Sequence, residues 1–183
     1  MIRTTSRLLR TQGYAGTGLN QVVAEAQAPK GSMYFHFPGG KEELAAAAID
    51  RFAERTAARM AEALGTEPTV SEAVAGFFDD YIVHLESTGY AEGCPVATVA
   101  LDAAGQSDAL AEATGRALRH WTALLADALA AEGRSADGAH QLATLVIAAL
   151  EGTVVMGKGQ RSTEPLAAAR DALRGILAVP VEA

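Results

Sequence analysis

The chain holds one cysteine, Cys94, in 183 residues. A single thiol excludes an intrachain disulfide framework and any CxxC metal pair. Aromatic residues make up only 5% of the chain, and runs of strand-favouring residues are short, which argues against a sheet protein. The opening residues, MIRTTSRLL, contain no apolar h-region, so a secretory signal is not expected. The longest apolar stretch, 142–156, is interrupted by Glu151 and is expected to be too short to span a membrane. These absences point to a soluble, cytoplasmic protein with no membrane partner.

What is present is alanine and aliphatic surface. Hydrophobic residues reach 49%, enough for a sizeable core, and their mix favours packed helices. The expected fold class is all-α. The formal net charge is −7, which taken whole disfavours nucleic acid. Its distribution says otherwise. Residues 1–41 hold Arg3, Arg7, Arg10, Lys30 and Lys41 against Glu25 alone, so this segment carries +4 and the remainder −11. Such asymmetry suggests a small module facing a polyanion, joined to an acidic body.

Periodicity and breakers divide the chain. A first helix is expected over 3–11, stopped by Gly13. Thr17 is placed to cap a second helix over 19–26, where Leu19, Val22, Val23 and Ala26 share one face. Pro29 suits the first position of a short third helix that Pro38-Gly39-Gly40 must end near Phe37. This is a helix-turn-helix pattern. Longer helices are expected over 42–64, 71–87, 95–104, 107–132, 137–157 and 164–177.

The stretch 28–44, APKGSMYFHFPGGKEEL, concentrates rings and cations. On a helix Lys30 and Tyr34 lie one turn apart on one face, while Met33 and Phe37 form the neighbouring apolar stripe. Gly31 costs roughly 1 kcal/mol relative to alanine in a helix, a cost consistent with close backbone approach to a partner. Ser32 and the Tyr34 hydroxyl suit phosphate oxygens. Lys41 opens the next helix, where its charge and the terminal amides both favour a phosphate.

The run GYAGTGLNQVVAEAQAPKGSMYFHFPGGKEEL resembles the N-terminal module of TetR-family transcriptional regulators. TGLNQ, APKGS and FPGGKEEL, with GCPVATVALD at 93–102, are most similar to the LmrA/YxaF-type branch. The resemblance implies an N-terminal three-helix helix-turn-helix domain, 1–45, and a C-terminal helical ligand-binding and dimerisation domain, 46–183. It implies a homodimer, usually a repressor, on a palindromic double-stranded DNA operator, with a small-molecule inducer in the body. By position, Thr17 and Tyr34 would contact phosphates with His36 and Lys41 close behind, and Lys30, Gly31 and Ser32 would face the groove. Gln27 departs from the family pattern. It stands where glycine is common, and glutamine tolerates positive φ poorly.

In the body, Phe52, Met60, Phe77, Phe78, Tyr81, His84, Cys94, Leu101, Leu118, Trp121 and Leu125 combine aromatic surface with a few polar handles. The resemblance implies a cavity there for an apolar or aromatic ligand. Trp121, Tyr81, Phe78 and His84 are its expected handles. The dimer face is expected on the last two helices. It would use Leu142, Leu145, Val146, Ala149, Leu150 and Val154 with Leu166, Leu173 and Ile176, and Ala148, Ala149 and Gly152 would allow close approach.

No catalytic residue, metal site or cofactor is expected. GTG at 16–18 and GKG at 157–159 follow no strand and complete no phosphate-loop motif. The four histidines are scattered, and no second i,i+3 pair joins Asp137 and His140 into a di-metal bundle. Cys94 has no sequence-adjacent base and reads as a structural thiol. A helical small-molecule-binding protein or enzyme with an incidental helix-turn-helix stays open at this point. Such a protein would show no sequence-selective duplex binding, whereas a regulator loses affinity steeply as salt rises.

Overall fold

A computed structural model describes residues 1–178, the side chain of Lys30 excepted. Among the described residues the regular structure is helical throughout: α1 (Ile2–Gly16), α2 (Leu19–Glu25), α3 (Lys30–His36), α4 (Gly40–Thr66), α5 (Val70–Ser87), α6 (Pro95–Asp102), α7 (Asp108–Ala131), α8 (Ala136–Gln160) and α9 (Glu164–Leu177). The chain is all-α, as its composition implies.

The helices form two compact units. The first takes residues 1–55 and 93–117, and the second takes 56–92 and 118–183. This cut differs from a single boundary after residue 45. The α6 segment and the start of α7 belong with the first three helices, and α4 and α7 each contribute to both units.

In the first unit α1 packs against α2 and α6. Leu8, Val22 and Leu44 bury one another, with Met1, Ile2, Leu19 and Phe37 packed around them. Leu9 and Met33 are also buried. Helical dihedrals break at Gly13, at φ 73 and ψ −178, before a last turn runs to Gly16. The stop expected at Gly13 is thus a kink. Thr17 does not cap α2. Its hydroxyl donates to the Gly13 carbonyl at 2.6 Å and is buried, and Gly18 takes the cap position. The Thr17 N–H bonds the Tyr14 carbonyl rather than that of Gly13, which is left to the hydroxyl. Pro29 likewise sits at the cap of α3, one residue earlier than expected.

The turn after α2 is a Schellman cap. The Ala28 N–H donates to the Val23 carbonyl and the Gln27 N–H to that of Ala24, both at 3.1 Å. Gln27 occupies the left-handed position at φ 51. A residue with a Cβ pays about 1–2 kcal/mol in that region.

In the second unit α5 packs on α9 and α8, and α8 packs on α9. Val146, Val154, Leu166 and Leu173 are buried there. Arg170 of α9 holds Asp79 of α5, and the Val70 N–H at the start of α5 donates to Glu132 at 2.6 Å. Gly157 marks the tightest approach. A Cβ there would lie 2.9 Å from Leu166 Cδ1, 3.0 Å from the Ser162 carbonyl oxygen and 3.1 Å from Leu85 Cδ1.

The stretch 142–156 was expected to be too short to cross a membrane. It lies within α8, a helix of 25 residues that by length and composition is long and apolar enough. Glu151 does not end it, because helical hydrogen bonding runs past a half-buried carboxylate. Much of its apolar surface lies against α9 and α5.

Three substitutions check these local structures by chemical denaturation. Gly157→Ala should destabilise by about 1–2 kcal/mol, because the Ser162 carbonyl cannot yield, whereas Gly76→Ala, with nothing within 4 Å of the added carbon, should gain about 0.5–1 kcal/mol from helix propensity. Gln27→Gly should stabilise by about 0.5–1 kcal/mol, the relief of positive φ exceeding the added unfolded-state entropy.

Candidate nucleic-acid interface

A seven-residue helix can bury only one side, and α3 commits that side through Met33, which is 1% exposed. Phe37 is half-buried against the Leu8, Val22 and Leu44 cluster. The remaining side chains turn outward. Tyr34 is 63% exposed and Phe35 81%, and Gly31 and His36 are exposed with Ser32 half-buried. The Lys30 side chain lies outside the described residues. A Cβ at Gly31 would meet nothing within 4 Å, so no internal packing requires glycine there.

Phe35 was not singled out from the sequence. Helical spacing hides it, because it falls opposite the Met33–Phe37 stripe and off the Lys30–Tyr34 face. Its ring stacks edge-on with His36, centroids 5.1 Å apart. An apolar ring so exposed is a surface for base edges or thymine methyl groups.

Lys41 is positioned by α4 and by α1 together. Its ammonium sits 4.2 Å from the centroid of the Tyr14 ring, a cation–π contact. Burial pushes its pKa below the usual lysine value, with the Asp102 carboxylate pulling the other way. The Tyr14 hydroxyl is raised, first by burial and then by the Glu42 charge. At the same helix start the Gly39 N–H donates to Glu43 Oε2 at 2.7 Å, so one amide expected to be free for a phosphate is taken by the chain's own carboxylate. Thr17, expected at a phosphate, is 2% exposed with its hydroxyl committed to Gly13.

The expected pocket residues divide between the units. Phe52, Cys94 and Leu101 lie in the first, and Met60, Phe77, Phe78, Tyr81, His84, Leu118, Trp121 and Leu125 in the second. In the first unit Arg10 lies over the Phe52 ring, 5.6 Å from its centroid, and Cys94 is buried at the cap of α6. Leu101 is instead 79% exposed. Val96, Val99 and Ala103 form the buried stripe of that segment, and position 101 falls on the opposite side. In the second unit Phe78, Trp121 and Leu125 are fully buried and Met60 nearly so. Tyr81 stacks edge-on against His84 with centroids 6.5 Å apart, and His84 Nε2 lies 3.5 Å from Glu92. This unit therefore contains the buried aromatic side chains Phe78 and Trp121 and a polar pair, His84 and Glu92.

The expected dimer residues also divide. Val146, Val154, Leu166 and Leu173 are buried inside the protomer and are not available to a second copy. Leu145 and Ile176 are exposed, at 45% and 43%, as are Val155 and Met156, at 51% and 49%. Ile176 is on α9, while Leu145, Val155 and Met156, with Ala148 and Gly152, also exposed, make a stripe on α8 at helical spacing. The helix is apolar all round, so periodicity did not say which side α5 and α9 would cover. Val155 and Met156 were missed for that reason.

Comparison with known proteins places both parts of the chain. Residues 1–48 match the family described as bacterial regulatory proteins, tetR family. Residues 70–172 match the family described as transcriptional regulator LmrA/YxaF-like, C-terminal domain. The HTH-type transcriptional regulator LmrA of Bacillus subtilis is 33% identical over 91% of this chain and 88% of its own. The crystal structure of E. coli NemR in its reduced form superposes with a TM-score of 0.85 at 24% identity, covering 99% of this chain and 97% of that one. CifR, solved as a cysteine mutant with 26-bp double-strand operator DNA, superposes with a TM-score of 0.78 at 24% identity, covering 94% and 93%.

Proposed function

Because the chain belongs to the tetR family of bacterial regulatory proteins, with an LmrA/YxaF-like body, and is a DNA-binding transcriptional regulator rather than an enzyme, we propose that it is a homodimeric repressor released from its operator by a small apolar or aromatic inducer. The observation that carries this reading is the outward face of α3, where Tyr34 and Phe35 stand exposed on a short helix whose other side is locked by Met33. A short helix of this kind, presented after a tight turn, fits the major groove. CifR, of the same fold, is seen with operator DNA, and E. coli NemR is named a transcriptional repressor.

On this reading Lys30, Gly31, Ser32, Tyr34, Phe35 and His36 meet the duplex, and Lys41 supplies a phosphate contact from the start of α4. Lys30 is the only long cationic donor on α3. Specificity then rests largely on ring contacts, shape and water. Thr17 acts through the backbone around the kink, its hydroxyl being committed to Gly13.

Two copies would pair through the exposed stripe of α8 and α9, which includes Leu145, Ala148, Gly152, Val155, Met156 and Ile176. Small residues in that stripe allow close helix approach. The operator is then palindromic, with half-sites about one helical turn, 34–36 Å, apart. The inducer would contact Phe78, Trp121, Tyr81 and His84 in the second unit. An inducer that prefers a conformation with the two α3 helices wrongly spaced weakens DNA binding by the same coupling energy with which DNA weakens it. As a regulator of the chromosome the protein acts in the cytoplasm.

The test is selection of duplexes from a random library, followed by titration of the selected duplex across salt. A palindromic sequence is expected, with affinity falling by about 10³-fold or more between 50 and 200 mM salt, and with Lys30→Ala and Tyr34→Phe each weakening binding in a folded protein. Recovery of no sequence at any salt would remove the reading. The assembly is tested separately: Met156→Glu should shift the sedimentation mass to that of one chain, because it buries a charge in an apolar interface, whereas Val83→Glu, at an exposed site on α5, should leave the mass unchanged.

A further inference from the structure

The first unit contains a polar contact that no expected site includes. Asp102, the last residue of α6, reaches across to the kink in α1. In a straight helix the Tyr14 N–H would donate to the Arg10 carbonyl. Here it donates to Asp102 Oδ2 at 2.7 Å, and the Ala15 N–H points to the same oxygen at 3.4 Å. The Arg10 carbonyl accepts instead from the Gly93 N–H at 3.2 Å, and Arg10 Nε donates to the Gly93 carbonyl at 2.9 Å. The segment carrying α6 is thus fastened to α1 at both of its ends.

The fit leaves no room for a side chain at the kink. A Cβ on Gly13 would lie 2.4 Å from Asp102 Oδ2 and 3.5 Å from Thr98 Cγ2. Gly13 is required there both by its φ of 73 and by this approach. From the kink the contacts lead toward the candidate interface. The Thr17 hydroxyl and N–H bond the carbonyls of Gly13 and Tyr14, and the Tyr14 ring lies beneath the Lys41 ammonium.

We propose that Asp102 is a positioning residue for operator binding, its carboxylate holding the α1 kink so that Tyr14 presents Lys41 to the phosphate backbone. The proposal rests on the DNA-binding reading above. Asp102 also bears on Lys41 electrostatically. The residue therefore plays two separable parts: it accepts two amides, and it places a negative charge near a phosphate-facing cation. Without the acceptor, the turn at 14–16 is free to adopt other arrangements. The apparent Kd then rises in proportion to the lost binding-competent fraction.

The two parts separate in Asp102→Ala, Asp102→Asn and Asp102→Glu. Each is titrated with the duplex selected by the wild-type chain, and exchange of the Tyr14 amide with solvent deuterium is followed in the same folded samples. Asp102→Ala should weaken binding by about 10- to 100-fold, the range for losing a charged acceptor, and speed exchange at Tyr14. Asp102→Asn keeps an acceptor and sheds the charge, so it should bind within about five-fold of wild type with exchange restored. Asp102→Glu keeps the charge but displaces the acceptor by one methylene, so it should bind more weakly than Asn. Should the alanine variant fail to fold, the order of Asn over Glu decides the matter. Alanine within two-fold of wild type, or Glu binding better than Asn, overturns the proposal while leaving the DNA-binding reading intact. Wild type that selects no duplex removes both.

Discussion

A helix of seven residues has too few internal hydrogen bonds to persist in water, since nucleation is costly and each added residue returns little. The outward face of α3 therefore exists only because other residues hold the inward one. Met33 is buried, Phe37 rests against the Leu8, Val22 and Leu44 cluster, and the Schellman turn at Gln27 sets where α3 begins. Tyr34, Phe35 and His36 are presented as a consequence. On the proposed reading, this is the surface by which a protein of net charge −7 meets a polyanion. The local charge of +4 over the first 41 residues matters because screening confines electrostatics to about 8–10 Å at ordinary salt.

The second unit is governed by a surplus of apolar surface. The α8 helix is hydrophobic on more sides than α5 and α9 cover, and the remainder, Leu145, Val155 and Met156 with Ala148 and Gly152 between them, faces outward. An apolar stripe of this sort belongs against another surface. The same surplus makes α8 pass a length-and-composition test for a membrane span. Its two inner neighbours and the Gly157 approach to Leu166 and Leu85 show a helix built for packing against protein.

The helix inventory was legible in the chain almost throughout, because capping residues, prolines and apolar spacing act within a turn or two. The range expected for α9 agrees at both ends, and no end of the other helices from α4 onward differs from expectation by more than three residues. The inward role of Met33 followed from i,i+4 spacing, whereas Gln27 stood out only against the family's usual glycine, and its left-handed φ of 51 was settled by the structure. Thr17 was misread as a cap because the Gly13 kink, which supplies its partner, is held from a residue 88 positions away from Tyr14. Leu101 was misread because α6 is short and apolar on both sides of its buried stripe. Val146 and Val154 were assigned to the wrong neighbour because α8 carries apolar residues on more sides than one, and Leu166 and Leu173 because the single apolar stripe of α9 is taken up by α5 and α8.

The order of helices, most of their ends and the cationic character of the opening segment belong to the chain alone, since each depends on residues close in sequence; the end of α1, held by Asp102, does not. Which apolar face is covered, which carbonyl meets Thr17, and which carboxylate takes the amides at the α1 kink were settled by folding. Burial and hydrogen-bond partnership depend on what packs from elsewhere, and a helix with apolar residues on every side carries no local mark of that choice.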